Sequence, residues 1–465
     1  MKQIKIAFIG AGSFVFTRKL VIDLFSFADM PPVELALMDI DAERLATVET
    51  LVRKVVKQER KPVTVTATAD RLRALEGADF VIATYEPNGL EARRREVMTC
   101  IAHGLPLAIG DTLNPSGIFK AIRTGTVAMS IASDMERLCP DALFMNYVNP
   151  MAINCGLLNA ATRIRTVGMC HGLEHTRSLL AGWMGVPAAE LFVRGAGINH
   201  MTWILEIRHS GKDMYPRLRE ELATMREEDP VRAAIMEATG YFVTESSYHS
   251  AEYVPYFRNW FKPLYITDQA MPYCNNGMGG WGGQIIYPTV GPRGRTEPAI
   301  PLGWDIALYE KHHARTWAKL QTDLLTEESV RIERSEEYAM RIVHSLVSGQ
   351  SKTLSLNVPN RGYISNLPED ATVEVPVQVD ATGLHPETIG ELPEPCASLC
   401  RRNVEVQSRV IHALRHQDAS AVFHAMLLDP LTGACLDLGQ IRELFRALVE
   451  IDGEMLPEWL RQGVC

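Results

Sequence analysis

Residues 4–13 read Ile4-Lys5-Ile6-Ala7-Phe8-Ile9-Gly10-Ala11-Gly12-Ser13, and this stretch decides the fold class. A short apolar run that ends in two glycines predicts a buried β-strand, a tight turn and the start of a helix. Glycines at such a turn let the backbone approach a pyrophosphate, which then lies at the positive end of the helix. Val15 stands where the third glycine of the usual dinucleotide motif would be, so the turn must be interpreted with the strand that follows it.

That next strand, Val33 to Met38, is followed by Asp39. A carboxylate at this place can accept a hydrogen bond from a ribose hydroxyl and would repel a 2′-phosphate, so the sequence predicts NAD rather than NADP. The alternative is a tight strand-to-helix turn with no ligand. The residues expected to contact the cofactor are Gly10, Gly12, Ser13, Phe14, Asp39, Glu86, Asn88 and Val148.

Further buried strands are predicted at Phe80 to Ala83, Leu143 to Tyr147 and Thr166 to Met169, with helical segments between the strands, such as 14–29 and 41–58. Strands that alternate with helices favour a parallel α/β sheet with right-handed crossovers. Beyond residue 190 the pattern changes to two antiparallel strands, a charged helical segment at 213–239, a glycine cluster at 275–283, helices at 303–349 and strands at 353–380. We therefore predict a Rossmann-type NAD-binding domain at 1–192. A mixed α+β domain, for substrate, metal and oligomerisation, is predicted at 193–465.

The composition bounds the class of protein. The chain has 465 residues, 46% hydrophobic and 22% charged, with a formal net charge of -9. No long basic run and no apolar stretch of bilayer length occurs, so nucleic acid and membranes are not expected partners. The nine cysteines are scattered and odd in number, which predicts a reducing, cytoplasmic location and no disulfide framework.

Two possible metal ligands follow predicted strands. Cys170 comes directly after the Thr166 to Met169 strand, and His200 lies thirty residues further along the chain. One thiolate and one imidazole would leave positions open for substrate oxygens, as a Lewis acid requires. Buried packing is the alternative for both side chains, and His171 and His175 are further candidate ligands.

Several short motifs, in this order along nearly the whole chain, resemble glycoside hydrolase family 4. They are Gly10-Ala11-Gly12-Ser13, Gly110-Asp111-Thr112, Asn149-Pro150-Met151, Cys170-His171-Gly172, Asn199-His200-Met201, Glu252-Tyr253-Val254-Pro255-Tyr256-Phe257, Asn357-Val358-Pro359-Asn360-Arg361-Gly362-Tyr363-Ile364, Leu367-Pro368 and Val373-Glu374-Val375-Pro376. The resemblance implies a Rossmann-type domain joined to a lactate/malate-dehydrogenase-like domain, NAD and a divalent ion, typically Mn²⁺, as cofactors, and a homodimer or homotetramer. It also implies an exception to glycosidase chemistry by two carboxylates. In this route the sugar is oxidised transiently at C3 and deprotonated at C2. The aglycone leaves, water adds at C1, and C3 is reduced again.

The resemblance also implies residue roles. Cys170 and His200 are the expected metal ligands, and Asn88 and Asn149 are expected to contact the substrate. Tyr253 is the expected base, with its neighbour Glu252 as the alternative. Asp111 is the expected general acid. Tyr253 could instead be part of an aromatic core cluster, and Asp111 could instead be a helix N-cap.

One element departs from the family pattern. Family members usually follow Gly-Asp-Thr with Gly-Pro-Gly-Gly, whereas this chain has Asn114-Pro115-Ser116-Gly117. Side chains therefore stand where backbone would approach the ligand, which puts the local substrate contacts and the specificity in question.

The residues after the metal cysteine indicate the sugar. Cys170-His171 resembles the enzymes for non-phosphorylated α-glycosides, and the following Gly172 resembles the α-glucuronidase and α-galacturonidase subgroup. A uronate needs a cation near its carboxylate. The candidates are Arg293, Arg295 and His171, although surface charge is the alternative for the arginines. α-Galactosides and α-glucosides remain open as substrates.

Two rival functions share this fold. A malate-type NAD-dependent dehydrogenase would need no Cys/His metal site and would accumulate NADH. A sugar or nucleotide sensor would bind NAD without turnover. The pair Cys170 and His200 disfavours both.

Overall fold

The computed structural model describes residues 2–262, 287–290, 296–303 and 329–463, together with 306, 314–318, 320–322, 324 and 326. Arg293, Arg295 and the glycine cluster at 275–283 lie outside the described residues, so the predictions for them are not tested by the structure.

Six parallel strands form the first half of the main sheet, which confirms the α/β prediction. In chain order they are β1 Ile4–Ile9, β2 Val33–Met38, β3 Val63–Thr68, β4 Phe80–Ala83, β5 Leu143–Asn146 and β6 Arg165–Met169. Their order across the sheet is β3-β2-β1-β4-β5-β6, the order of a doubly wound dinucleotide-binding domain. The edge strand β3 is missing from the sequence prediction, because its Val/Thr alternation is only partly buried.

Seven helices connect and follow these strands. They are α1 Phe14–Phe25, α2 Ala42–Glu59, α3 Arg71–Leu75, α4 Gly89–Ala102, α5 Asn114–Leu138, α6 Met151–Ala161 and α7 Gly172–Met184. The start of α2 is fixed by Asp41, whose side chain accepts hydrogen bonds from the backbone N–H groups of Glu43 and Arg44. Helix α1 ends at Phe25, four residues before the predicted end, where the Ser26 N–H turns back to Asp23 O.

The second half of the chain extends the same sheet with antiparallel strands. They are β7 Leu191–Ile198, β8 Met201–His209, β9 Lys212–Asp213, β13 Lys352–Pro359, β14 Thr372–Asp380 and β15 Gly383–Pro386. Strand β13 pairs with β6, and β14, β7, β8 and β9 follow in that order, while β15 pairs with β14. A small separate sheet holds β10 Phe261–Lys262, β11 Tyr287–Val290 and β12 Thr296–Pro301. The main sheet therefore runs unbroken from the parallel half into the antiparallel half.

Helices surround this extension. They are α8 Tyr215–Glu220, α9 Leu222–Glu228, α10 Pro230–Thr239, α11 Ser247–Tyr253, α12 Ala339–Ser348, α13 Glu394–His416, α14 Ala419–Leu428, α15 Pro430–Cys435, α16 Leu438–Asp452 and α17 Glu458–Gln462, with 3₁₀ turns at Ala188–Glu190, Pro255–Trp260 and Gly453–Met455. The segment 213–239, predicted as one helical segment, forms three helices, and Pro230 begins the third of them. Residues 329–337 were predicted to be helical and are not.

The sheet places the candidate residues together. Cys170 follows β6, the turn between β7 and β8 carries Asn199 and His200, and α5 begins shortly after Asp111. Among the described helices, none combines the length and the apolar character that a membrane span requires.

Candidate active site

The turn after β1 has the geometry of a dinucleotide-binding loop. The backbone N–H groups of Gly10 and Ala11 donate to Met38 O at 3.0 and 2.9 Å. The Gly12 N–H donates to Asp39 Oδ2 at 2.7 Å. Gly10 has φ +89°, and a Cβ atom there would lie 2.6 Å from Tyr85 Cα. Glycine is therefore required for the chain to turn this close to the neighbouring strand.

The other residues predicted to contact NAD lie around the same edge of the sheet. Glu86 and Asn88 follow β4, and the Glu86 carboxylate forms an ion pair with Lys120 at 3.0 Å. Val148 follows β5 and is buried, with its backbone bonded to the Asn146 side chain. Phe14 begins α1 and is buried. Ligands of doubly wound sheets bind at this edge.

Three side chains form a cluster with the chemistry of a metal site. Glu245 Oε1 lies 3.1 Å from Cys170 Sγ and 4.0 Å from His200 Nε2. The three potential ligand atoms all lie within 4.8 Å of one another. The sequence prediction named Cys170 and His200 but missed Glu245, because Thr244-Glu245-Ser246 lies in an irregular segment without a metal motif. His171 and His175, the other predicted candidates, do not belong to such a cluster among the described residues.

Hydrogen bonds orient the imidazole of His200. Its Nδ1 lies 3.1 Å from Thr112 Oγ1 and 3.1 Å from the Tyr253 hydroxyl. Thr112 donates its hydroxyl proton to Asp111 Oδ1 at 2.7 Å, so it accepts from Nδ1–H of His200. This tautomer leaves the Nε2 lone pair of His200 facing the cluster, as in metal sites whose ligating histidine is held by its second nitrogen.

The charges in the cluster are coupled. Burial raises the pKa of Glu245, but the imidazoles of His200, His249 and His171 outweigh it and lower the pKa to about 2. Burial, together with the Glu245 and Glu374 carboxylates, holds the pKa of the Cys170 thiol well above its usual value. The site is therefore a thiol beside a carboxylate until a cation displaces the thiol proton.

A second group adjoins the first through His200. Ligand atoms of Asp111, His200 and His249 also lie within 4.8 Å of one another. His249 stands on α11, and its ring centroid is 4.8 Å from that of His200. Burial and the neighbouring His200 lower the pKa of His249 to about 4. His249 is thus uncharged at neutral pH and was not predicted from the sequence.

Asp111 and Asn149 form a polar pair next to His200. Asn149 Nδ2 donates to Asp111 Oδ2 at 3.0 Å. Burial raises the pKa of Asp111, but Arg93, Lys120, His249 and His200 outweigh it, so the pKa lies well below its usual value. Asn149 Oδ1 is buried without a hydrogen-bond partner among the described residues, as are both polar atoms of the Asn199 side chain. Orphaned polar atoms of this kind are typical of a site that binds a polar ligand.

Glu252 and Tyr253 are neighbours in α11 but point to different partners. The buried Glu252 carboxylate accepts hydrogen bonds from the backbone N–H groups of Ala108 and Ile109, both at 2.7 Å, and of Gly110 at 3.1 Å. Burial raises the pKa of Glu252 to about 7, although these bonds oppose the shift. The Tyr253 hydroxyl instead contacts His200, and burial raises its pKa above the usual value.

The unusual segment Asn114-Pro115-Ser116-Gly117 supports the loop that carries Asp111. Ser116 Oγ donates to Gly110 O at 2.7 Å, and Asn114 Nδ2 reaches the Glu252 carboxylate at 3.4 Å. Both side chains are fully buried. They therefore bind protein groups on either side of the loop.

His171 has a carboxylate partner that the sequence did not reveal. His171 Nδ1 lies 3.5 Å from Oε1 of the buried Glu337, which also pairs with Lys19 at 3.7 Å. Burial lowers the pKa of His171, but the hydrogen bond and charge of Glu337 outweigh it and raise the pKa. The imidazole next to the metal cluster is thus favoured in its charged form.

Glu374 on β14 provides a stability prediction. Its carboxylate accepts from Ser355 Oγ at 2.9 Å, while burial and the charge of Glu245 raise its pKa to about 7. A raised folded-state pKa means that the contribution of Glu374 to stability falls as pH rises from about 4.5 to about 7. Glu374→Gln removes this ionisation, so its unfolding free energy relative to wild type should rise by up to about 3 kcal/mol between pH 4 and 8.

Urea denaturation in EDTA measures this difference. The exposed Glu369, changed to Gln, is the matched control and should follow the wild-type pH profile. Parallel profiles for Glu374→Gln and wild type would show that Glu374 is not protonated in the folded protein.

Comparison with known proteins agrees with this architecture. Residues 5–186 match the profile of the family 4 glycosyl hydrolases, and residues 195–432 match the C-terminal domain of the same family. The chain therefore belongs to family 4 of the glycosyl hydrolases. This family membership favours a glycosidase over the rival malate-type dehydrogenase.

The relatives differ in the sugar they are named for. An α-galactosidase of Bacillus subtilis is 34% identical over 98% of this chain and 99% of its own length. An α-galactosidase of Rhizobium meliloti is 32% identical over 99% of this chain and 90% of its own length. An α-galacturonidase of Thermoanaerobacter italicus is 26% identical over 99% and 98%. The fold is also that of a 6-phospho-α-glucosidase from gut microorganisms, solved with NAD and Mn²⁺, with a TM-score of 0.79 at 18% identity over 98% of this chain and 100% of that one.

Proposed function

We propose that the protein is an NAD- and divalent-metal-dependent α-glycosidase that acts on non-phosphorylated α-galactosides. The observation that carries the proposal is the cluster of Cys170, His200 and Glu245 at the same sheet edge as the dinucleotide turn. A solved structure with this fold is a complex with NAD and Mn²⁺, which supports the same pair of cofactors here.

The residues present fit both groups. The turn at Gly10 and Gly12 would hold the pyrophosphate, and the Asp39 carboxylate would accept a hydrogen bond from a ribose hydroxyl. Sulfur, nitrogen and oxygen donors within 4.8 Å of one another suit a divalent transition-metal ion. When bound, NAD supplies reversible hydride transfer at the sugar C3, and the ion supplies Lewis acidity at the neighbouring oxygens.

Tyr253 is the residue we assign as the base at the sugar C2. Its hydroxyl reaches His200 at 3.1 Å and so borders the metal cluster. Without a bound ion the Tyr253 phenol is protonated, because burial raises its pKa. A divalent ion held by Cys170 and His200 would lower that pKa and would favour the phenolate. Glu252 is the second candidate, but its carboxylate is held by three backbone N–H groups of residues 108–110.

Two residues compete for the role of proton donor to the leaving group. Asp111 was predicted from the family, but its surroundings favour the carboxylate, which has no proton to donate. His171 is favoured as an imidazolium by Glu337 and follows Cys170 directly. We therefore assign proton donation to His171. Asp111, with Asn149, then accepts hydrogen bonds from the sugar hydroxyls.

A change of leaving group tests this assignment. His171→Gln should slow hydrolysis of methyl α-galactoside by about 10²–10⁴-fold, because a poor leaving group needs the acid. The loss with p-nitrophenyl α-galactoside should be at least about tenfold smaller, because nitrophenolate leaves without protonation. Asp111→Asn is the comparison variant and should affect both substrates alike. The opposite pattern would return the acid role to Asp111.

The sugar is assigned from the relatives. Galactosides and galacturonides share the configuration at C4 and differ only at C6, where a uronate adds a negative charge. The relatives named α-galactosidase are 34% and 32% identical, against 26% for the α-galacturonidase. We therefore place α-galactosides first and α-galacturonides, the subgroup expected from Cys170-His171-Gly172, second.

A panel of p-nitrophenyl α-glycosides tests the assignment. The galactoside, galacturonide, glucuronide and glucoside are each assayed with NAD, Mn²⁺ and a thiol reductant, which keeps Cys170 reduced. We expect kcat/KM for the galactoside to exceed the others by at least about 10²-fold, as for a site that pairs a substrate hydroxyl. A galacturonide preference would instead establish the uronidase. Release from no member of the panel would refute the glycosidase.

A further inference from the structure

We propose that Glu245 is a third protein ligand of the metal ion, and that Gly172 is the residue that leaves room for its carboxylate. The inference rests on the metal dependence proposed above and deepens it. It concerns two residues whose roles neither the family motifs nor the named relatives assign.

The carboxylate of Glu245 faces both expected ligands. Its Oε1 lies 3.1 Å from Cys170 Sγ and 4.0 Å from His200 Nε2. The Glu245 side chain is only 18% exposed, so the carboxylate lies within the site. One ion placed among the three atoms would replace the contact between thiol and carboxylate with two bonds to metal.

Gly172 makes this approach sterically feasible. A Cβ atom on residue 172 would lie 1.8 Å from Glu245 Oε1 and 3.4 Å from Cys170 Sγ. Any side chain there would push the carboxylate away from the cysteine. Glycine at position 172 is therefore needed to leave room for the carboxylate of Glu245. A glycine further along the same helix, Gly182, has no atom within 4 Å of the equivalent position.

The backbone around Glu245 is anchored from two sides. The fully buried Arg232 donates from Nη1 to Glu245 O at 2.7 Å and is itself paired with the buried Asp229. The Thr244 N–H donates to Thr202 O on β8 at 2.9 Å. These bonds hold the segment against the strand that leads from His200. The carboxylate is thus presented from a fixed backbone, as preorganised ligands are.

Three protein ligands have a chemical consequence. A thiolate and a carboxylate together neutralise the charge of a divalent ion, and the imidazole adds a neutral donor. An octahedral ion would keep three positions for sugar oxygens and water. Two protein ligands would leave four. With Glu245 as a third ligand, we expect the ion to bind tightly before any sugar or NAD is present.

Binding of Mn²⁺ alone tests the proposal, with free Mn²⁺ measured by electron paramagnetic resonance in the absence of NAD and sugar. Glu245→Gln should weaken the affinity by about 10²-fold or more, since removal of even an outer-shell partner costs 10–100-fold. Gly172→Ala should weaken it by about tenfold through displacement of the carboxylate. The double variant should be no weaker than Glu245→Gln, because both changes remove one interaction.

Matched controls separate ligation from folding. Gly182→Ala changes a glycine of the same helix, and Glu174→Gln changes a carboxylate of that helix. Both should bind Mn²⁺ as wild type does. With Co²⁺, the Glu245→Gln variant should keep the thiolate-to-cobalt absorption band of Cys170, which a misfolded site would lose.

The outcomes are distinct. Glu245→Gln with Mn²⁺ affinity within about twofold of wild type would overturn the proposal, because a ligand cannot be removed at so small a cost. Gly182→Ala with the same loss as Gly172→Ala would overturn the role of Gly172. A wild-type protein that binds no Mn²⁺ would refute the metal dependence itself, and with it both inferences.

Discussion

Cys170→Ala should lower kcat for α-galactoside hydrolysis by at least about 10³-fold in the presence of NAD and Mn²⁺. The proposed thiolate ligand would hold the ion, whose Lewis acidity is worth several kcal/mol. Mn²⁺ affinity should fall in the same variant. The remaining pair, His200 and Glu245, lacks the sulfur donor, and their nearest atoms are 4.0 Å apart. A stopped or continuous assay of p-nitrophenol release measures the loss.

The control for this prediction is another cysteine. Cys435 is half-buried at the end of α15 and belongs to neither metal cluster. Cys435→Ala should keep wild-type kcat and Mn²⁺ affinity. If Cys170→Ala retained NAD- and Mn²⁺-dependent turnover within about tenfold of wild type, the thiolate would not be a ligand, and the proposed site would be wrong.

Tyr253→Phe should lower kcat by about 10²–10⁴-fold with little change in KM, because it removes the proposed proton acceptor and keeps the ring. The Tyr253 side chain is buried, and its hydroxyl lies 3.1 Å from His200 Nδ1. The fold should tolerate phenylalanine, so the melting temperature and the Mn²⁺ affinity should stay close to wild type. Substrate deuterated at C2 should show a larger isotope effect in this variant, since proton removal becomes rate-limiting.

Two further variants complete the test. Tyr256 is 62% exposed, and Tyr256→Phe should behave as wild type. Glu252→Gln should lower stability, because its carboxylate ties α11 to the backbone of residues 108–110. If Glu252→Gln abolished turnover in a stable protein while Tyr253→Phe stayed active, Glu252 would be the base.

The parallel half of the fold could be predicted because its signals are local. The apolar run before Gly10, the turn and Asp39 lie within one strand–helix–strand unit, and the structure joins them by a 2.7 Å bond from the Gly12 N–H to Asp39. Cys170 and His200 were predicted as a pair because Cys170 follows a strand and His200 lies in the turn between two strands. The side chains that surround this pair, however, depend on how β7 and β14 are added to the sheet.

The missed residues come from segments without periodicity. Glu245 and Glu337 lie outside regular elements, and their positions depend on long-range contacts such as those of Arg232 and of Tyr147 with the start of α12. Glu252 and Tyr253 could not be distinguished from the sequence. Neighbouring residues in a helix point in different directions, and the packing decides which of the two side chains faces the site. The departure at Asn114 to Gly117 put the local substrate contacts in question. Two buried side chains of this segment, Asn114 and Ser116, contact protein groups beside the loop of Gly110.

The central claim is that the aglycone leaves after removal of the C2 proton, and hydrolysis in D₂O tests it most directly. The α-galactoside is hydrolysed to completion with NAD and Mn²⁺, and the released galactose is analysed by mass spectrometry and proton NMR. We predict one deuterium at C2, with no net NADH, because a proton removed by Tyr253 is replaced from solvent. Galactose without deuterium at C2 would contradict the account and indicate direct displacement at C1.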